Sequence, residues 1–195
     1  DYAAIARSAR FVNRGALDLH LTHAMSLNLD LPDSNYEFVH FSGAWARERH
    51  QKVRRLEQGI QSVESTRGTS SHNHNPFVIL KRPETTEFSG EAIGFSLVYS
   101  GNFLAQIEVD TWDTTRVTMG INPFQFDWKL APNESFQTPE AVMVYAADGL
   151  NSMSQTFHKL YQKRLARGYW RDRPRPILIN NWEATYFDFT EDKLV

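Results

Sequence analysis

Between residues 10 and 147 apolar and polar side chains alternate in short runs. Leu17, Leu19 and Leu21 alternate with Asp18, His20 and Thr22, and Leu27, Leu29 and Leu31 with Asn28 and Asp30. Phe103, Ala105, Ile107 and Val109 mark another such face; Phe124, Phe126, Trp128 and Leu130 show the cleanest alternation of all. Every second side chain of an extended strand falls on one face, so this period predicts strands with one face on a core and one in water. Turn signals separate the runs: Gly15-Ala16, Pro32-Asp33-Ser34-Asn35, Ser89-Gly90, Ser100-Gly101-Asn102, Asn122-Pro123 and Pro132-Asn133. Many short strands with no helical interlude predict a large antiparallel sandwich. Residues 46–64, rich in Arg and Glu, read as long exposed strands rather than a helix. Gly59 interrupts them, and Ile60 and Val63 extend no helical stripe.

The period then changes. From Gly149 to Arg167 the apolar positions Leu150, Met153, Phe157, Leu160, Tyr161 and Leu165 are spaced by three and four, one face of an amphipathic helix. Lys163, Arg164 and Arg167 complement the dipole of its last turn, and Gly168 is the expected stop. Asp172-Arg173-Pro174-Arg175-Pro176 reads as a stiff connector and domain boundary, because each proline fixes its own φ and restrains the residue before it. Beyond it Ile177-Leu178-Ile179 is an apolar triplet of the kind found in parallel strands covered on both sides. Thr190, followed by Glu191 and Asp192, is a predicted helix N-cap with acidic first-turn residues. Strand, loop and helix start read as the first βα unit of something larger. The opening DYAAIARSARFVNRG shows no charged n-region and no apolar h-region, and reads as the middle of a longer sequence.

Composition narrows the classes. The 195 residues are 41% hydrophobic and 23% charged, enough to bury a core, and no apolar run approaches a membrane span. A formal charge of −2 without a basic stripe points away from nucleic acid and anionic membranes as partners. With no cysteine there are no disulfides or thiolate zinc sites; the compartment stays open, with the cytoplasm favoured. Aromatic residues make up 13%, including 5 Trp, which suits sugar rings and β-sandwich cores alike.

Four constellations stand out. His72-Asn73-His74 offers two imidazoles to a metal, but no cysteine or nearby carboxylate completes a shell, and Ser70, Ser71, Asn73 and Asn75 around them read as a loop. His20 and His23 are three apart, which on a strand puts them on opposite faces. Asp110 and Asp113 flank Trp112 between two predicted strands, an arrangement that suits a glycosidase carboxylate pair and equally suits turn chemistry. Trp182-Glu183 lies where an apolar strand hands over to its loop, the end at which α/β barrels place their sites. A Trp there can stack on a pyranose and its polar neighbour can bind hydroxyls. Alternatively Trp182, Tyr186, Phe187 and Phe189 pack an interdomain seam. No nucleophile elbow, phosphate loop or dinucleotide fingerprint is present.

The stretch RPILINNWEATYFDF (175–189) resembles the segment that opens the catalytic barrel of glycoside hydrolase family 36, of the melibiase type. Upstream, GAWARERH (43–50), STRGTSSHNHNPF (65–77), GEAIGFSLVYSGNF (90–103), GINPFQFDWKL (120–130), TPEAVMVYAADGLNSMSQTFH (138–158) and RGYWRD (167–172) follow in family order. The resemblance implies a mainly β chain: a large antiparallel β-supersandwich, then a linker helix, then the first βα unit of a (β/α)8 barrel. The implied boundaries are 1–147 for an N-terminally incomplete sandwich, 148–173 for linker helix and connector, and 174–195 for the truncated start of the barrel.

The implied activity is that of an α-galactosidase, removing terminal α-D-galactosyl residues from melibiose- or raffinose-type oligosaccharides with retention. Two aspartates of later barrel strands carry that chemistry, so the catalytic residues are expected beyond residue 195, and the nucleophile motif containing Lys-x-Asp is absent. Trp182 and Glu183 are the expected substrate-binding residues; no cofactor or metal is implied, and Asp188 receives no role. The resemblance also implies a homotetramer, with the loop 68–76 as a candidate inter-domain or inter-subunit contact. A galactosyl transglycosidase of the raffinose- and stachyose-forming type and a non-enzymatic carbohydrate-binding sandwich are the alternatives.

Overall fold

The computed structural model of the protein describes residues 2–194. Strands are numbered along the chain. One antiparallel sheet holds, in order, β1 (Ala4–Arg7), β14 (Glu140–Ala146), β9 (Ala92–Val98), β8 (His74–Lys81), β5 (Glu37–Ala44) and β6 (Arg47–Arg55). A second holds β4 (Met25–Leu31), β11 (Thr115–Ile121), β10 (Phe103–Val109) and β7 (Gly59–Glu64). Two small pairs flank them: β12 (Trp128–Leu130) with β3 (Leu19–Leu21), and β13 (Ser135–Gln137) with β2 (Arg10–Val12). The pairing is antiparallel throughout these sheets, as expected for the sandwich.

The alternation explains the core. On β10 Phe103, Ala105, Ile107 and Val109 are buried while Leu104, Gln106 and Glu108 are less so. They meet Leu27, Val63, Val117 and Met119 of their own sheet and Phe38, Val78, Leu80, Ile93, Phe95 and Leu97 of the other in one continuous cluster. Burying a side chain of that size stabilises the fold by about 1.5–3 kcal/mol before chain entropy is subtracted. β9, AIGFSLV, is buried along nearly its whole length. One face belongs to this core. The other lies under helix α1 (Leu150–Leu160), because Gly94 leaves room that a Cβ would take from Met153 Sδ and Phe157 Cε2, each 2.6 Å away. Met153 and Phe157 are buried in turn, and Phe157 meets Phe77 of β8 edge to face, centroids 5.1 Å apart.

Arg82 ties the loops at the β8–β9 end. Its guanidinium forms a fork with both Asp33 oxygens (2.5 and 3.1 Å), reaches Glu91 Oε1 (3.1 Å) and lies 4.0 Å above the Tyr36 ring. The Arg82 fork holds the Asp33 carboxyl below its ordinary pKa. The exposed strands expected in 46–64 are β6 and β7, with every side chain of β6 exposed.

Three expectations fail locally. Phe124 and Phe126 belong to no strand: Phe124 N–H donates to Asn122 Oδ1 (2.9 Å), Gln125 takes φ 54°, and Phe126 N–H donates to Pro123 O (3.1 Å), which closes a turn. Only Trp128–Leu130 of that run is extended. The helix does not run to Gly168. It widens to a π-turn over Tyr161–Leu165 and ends at Ala166, whose backbone is extended at φ −63° and ψ 130°. Finally, the parallel strand expected from Ile177-Leu178-Ile179 is not formed: residues 174–181 have no regular structure, and Trp182–Thr185 is a short helix, α2. A parallel strand needs neighbours for its backbone groups, and no strand among the described residues pairs with Ile177-Leu178-Ile179.

By its contacts the chain divides into two compact units, Asp1–Lys159 and Leu160–Val195. Among the described residues no helix is long and apolar enough to cross a membrane.

Candidate functional site

Within the second unit, the site segment begins where Asn180 and Asn181 turn the extended chain into α2. Asn180 Oδ1 accepts the Trp182 N–H (3.1 Å), and Asn181 O accepts those of Ala184 and Thr185 (3.0 Å each). Asn181 Nδ2 donates to Thr185 Oγ1 (2.7 Å). The Asn180 amide oxygen thus takes the backbone N–H of Trp182 at the turn, while the Asn181 side chain bonds that of Thr185. Trp182 and Glu183 therefore occupy its first turn, where a carboxylate also complements the helix dipole. The helix stops at Tyr186, which adopts φ 49° while its N–H donates to Trp182 O (3.2 Å).

This reversal folds the aromatic residues together. Trp182 meets Tyr186 (5.2 Å, 71°) and Phe187 (5.1 Å, 87°), both edge to face. Both Trp182 and Glu183 are exposed. Trp182 is therefore an exposed aromatic ring packed near-perpendicular to two others, with a carboxylate next to it in sequence. That pairing can stack on a sugar ring and bind its hydroxyls. Downstream, Thr190 precedes the short helix α3 (Glu191–Leu194) as expected, and Lys193 Nζ binds Asp188 Oδ1 (2.9 Å).

The other candidates resolve differently. Asp110 Oδ1 accepts the N–H groups of Trp112 (2.8 Å) and Thr114 (2.9 Å), and Asp113 sits at φ 60°, so both aspartates shape the β10–β11 turn and Trp112 projects from it. His20 Nδ1 meets Asp127 Oδ1 at 2.6 Å across the β3–β12 pair. His72 is exposed, whereas His74 opens β8 and shares Ser42 Oγ (3.3 Å) with His40 Nδ1 (3.1 Å). Burial, followed by the charges of Arg54, His74 and Lys52, pushes His40 down to about 4; burial lowers His74 as well, with Arg54 adding to it. These are neutral imidazoles in a sheet. Sequence spacing did not find this pairing, because His40 and His74 meet only through the β5–β8 register, in which Ser42 is opposite His74. Among the described residues no group of three His, Cys, Asp or Glu is placed to hold a metal.

Comparison with known proteins bears on the whole chain. Residues 1–131 match the model of the glycosyl hydrolase family 36 N-terminal domain, and residues 135–195 match that of melibiase. Alpha-galactosidase AgaA of Geobacillus stearothermophilus is 61% identical over 98% of this chain, and an alpha-galactosidase of Lactobacillus acidophilus is 48% identical over 100% of it. The crystal structure of an AgaA variant in complex with stachyose superposes with a TM-score of 0.95 at 60% identity, over 99% of this chain and 27% of that one. A second AgaA variant structure, in complex with raffinose, gives the same score. The chain spans about a quarter of the length of these curated relatives, 26% of each. The sandwich, its strand order and its two matched segments agree in one assignment: this chain belongs to glycosyl hydrolase family 36.

Proposed function

We propose that the chain supplies the scaffold and the barrel entrance of an α-galactosidase that releases terminal non-reducing α-D-galactosyl residues from melibiose- or raffinose-type oligosaccharides. The observation that carries this reading is the 61% identity to alpha-galactosidase AgaA along the chain. In this reading residues 1–147 are the sandwich, 148–173 the linker helix and connector, and 174–195 the start of the (β/α)8 barrel. Ile177-Leu178-Ile179 becomes a strand once neighbouring barrel strands accept its backbone hydrogen bonds. Trp182 then stacks on the C–H face of the galactose and Glu183 binds its hydroxyls, a role supported by their exposure at the head of α2.

The reaction is a double displacement with retention. One carboxylate attacks the anomeric carbon while a second, about 5 Å away, protonates the leaving oxygen and then activates water. Both lie on later barrel strands, so residues 1–195 by themselves do not turn over substrate, and no metal or cofactor takes part. The full-length protein works as a homotetramer in the cytoplasm, with the loop 68–76 at an inter-domain or inter-subunit contact. The outer edge of β6, which pairs with β5 on one side and with no other strand among the described residues, supports an assembling role for this domain.

Hydrolysis of a chromogenic α-galactoside tests the reading. A chain extended to the full length of its relatives releases chromophore, and residues 1–195 do not. No turnover by the extended chain overturns the assigned activity; turnover by the 195 residues overturns the assigned location of the carboxylates.

A further inference from the structure

Three loops of the first unit converge on a cleft of about 180 Å³ at one end of the β10–β11 hairpin. Tyr99 and Gly101 come from the β9–β10 connection, Phe124, Gln125 and Phe126 from the turn after β11, and Gly68 from the β7–β8 loop. The frame beneath them is fully bonded. Asn122, 3% exposed, donates through Nδ2 to Glu64 Oε2 (2.8 Å) and to the carbonyls of Ser65 (3.3 Å) and Phe103 (3.2 Å). Its Oδ1 accepts the Phe124 N–H that starts the turn. Asn102 Oδ1 accepts the Gly68 N–H (2.6 Å), which joins the third loop to the other two. The Tyr99 ring lies against Gly101, where any Cβ would overlap it. Phe126 is held from behind by Phe136, centroids 5.8 Å apart.

The groups that face the cleft are of another kind. Tyr99 and Phe124 are exposed rings, and Asn102 Nδ2, Tyr99 Oη and the Gln125 amide have no hydrogen-bond partner among the described residues. No carboxylate, guanidinium, ammonium or imidazole lines the space. A rigid frame carrying aromatic faces and uncommitted neutral donors and acceptors selects a neutral ligand with an apolar face and a hydroxyl rim. The volume is below the ~300 Å³ at which sites for drug-sized ligands begin, so a single ring fits rather than a chain.

From this we infer that the cleft between Tyr99, Asn102 and the Phe124-Gln125-Phe126 turn, built from residues of the sandwich alone, is a binding site for one neutral pyranose ring. The ring stacks on Tyr99 or Phe124, and Asn102 Nδ2 and the Gln125 amide bind its hydroxyls. The inference does not require the barrel reading.

The test uses the full 195-residue chain, titrated with methyl α-D-galactopyranoside and, separately, methyl α-D-glucopyranoside, with backbone amide shifts followed by NMR. The expected result is a saturable response at Gly68, Gly101, Asn102 and Gln125 for at least one sugar, with affinity on the order of millimolar. Tyr99→Ala and Phe124→Ala each weaken it about tenfold or more at unchanged melting temperature. Trp112→Ala, at the opposite end of the same hairpin, leaves it intact. No response at the cleft, a response confined to Trp182 or Trp112, or a cleft response that both alanine variants retain would each overturn the assignment. A response at Trp182 alone would still favour the barrel subsite, so the two proposals fail separately.

Discussion

The chain contains two apolar runs that read alike and end up in opposite surroundings. Ala92–Val98 is buried at six of its seven positions, with Phe95 facing the four-stranded sheet and Gly94 opposed by Met153 and Phe157 of α1. Ile177-Leu178-Ile179 is 97%, 88% and 65% exposed and belongs to no sheet. Apolarity on both faces states that a segment needs two covers; it does not state who provides them. For β9 they come from the same 195 residues, as the four-stranded sheet on one face and α1 on the other. For Ile177–Ile179 nothing among the described residues of its own unit provides them, which is what the barrel reading requires.

Breaking a cover of β9 has the largest expected effect. Phe95→Ala removes a ring with no exposed surface from the centre of the core and should lower unfolding free energy by about 3–5 kcal/mol in urea titrations. Acid should be next. His40, 8% exposed, has a folded pKa of about 4 against an unfolded value of 6.5, so the unfolded chain takes up the proton first. Its contribution is present above pH 6.5 and is lost as pH falls towards 4, on the order of 3 kcal/mol. His74, lowered in the same direction, adds to this slope, and His40→Gln should flatten the pH profile of the melting temperature in that window. Gly94→Ala sharpens the comparison from the helix side. Its Cβ must displace Met153 and Phe157, at a cost of about 1–3 kcal/mol read by thermal unfolding. Smallest is Ile177→Ser, expected to stay within about 0.5 kcal/mol of the unchanged chain, because the side chain is already in water. A loss as large as that of Gly94→Ala would show that the triplet is packed in this chain after all.

The sandwich was legible because its signal is local. Period two along β4 and β10 and the turn residues between them name the strands before any pairing is known. At Phe124 and Phe126 the same period misled: the alternation is there, but Pro123 brings no N–H, Asn122 binds the backbone, and Gln125 takes a left-handed conformation. The end of the helix misled similarly, since Gly168 marks a stop that the π-turn at Tyr161–Leu165 reaches first. For the candidate site, the sequence names residues and the structure gives them a geometry that the sequence does not show. Trp182 and Glu183 were named from a strand-to-loop handover, yet here they head a short helix whose start is fixed by Asn180 and Asn181. The sugar-sized cleft gave no sequence signal, because Gly68, Asn102 and Gln125 are distant until three loops converge.

The central claim is that residues 174–195 are a barrel opening whose covers lie outside these 195 residues. Amide hydrogen exchange of a peptide spanning 177–189 tests it most directly, compared between this chain and one extended to the full length of its family relatives. The account predicts exchange close to that of an unstructured peptide here and strong protection in the extended chain. Strong protection in residues 1–195 alone, or none in the extended chain, would contradict it.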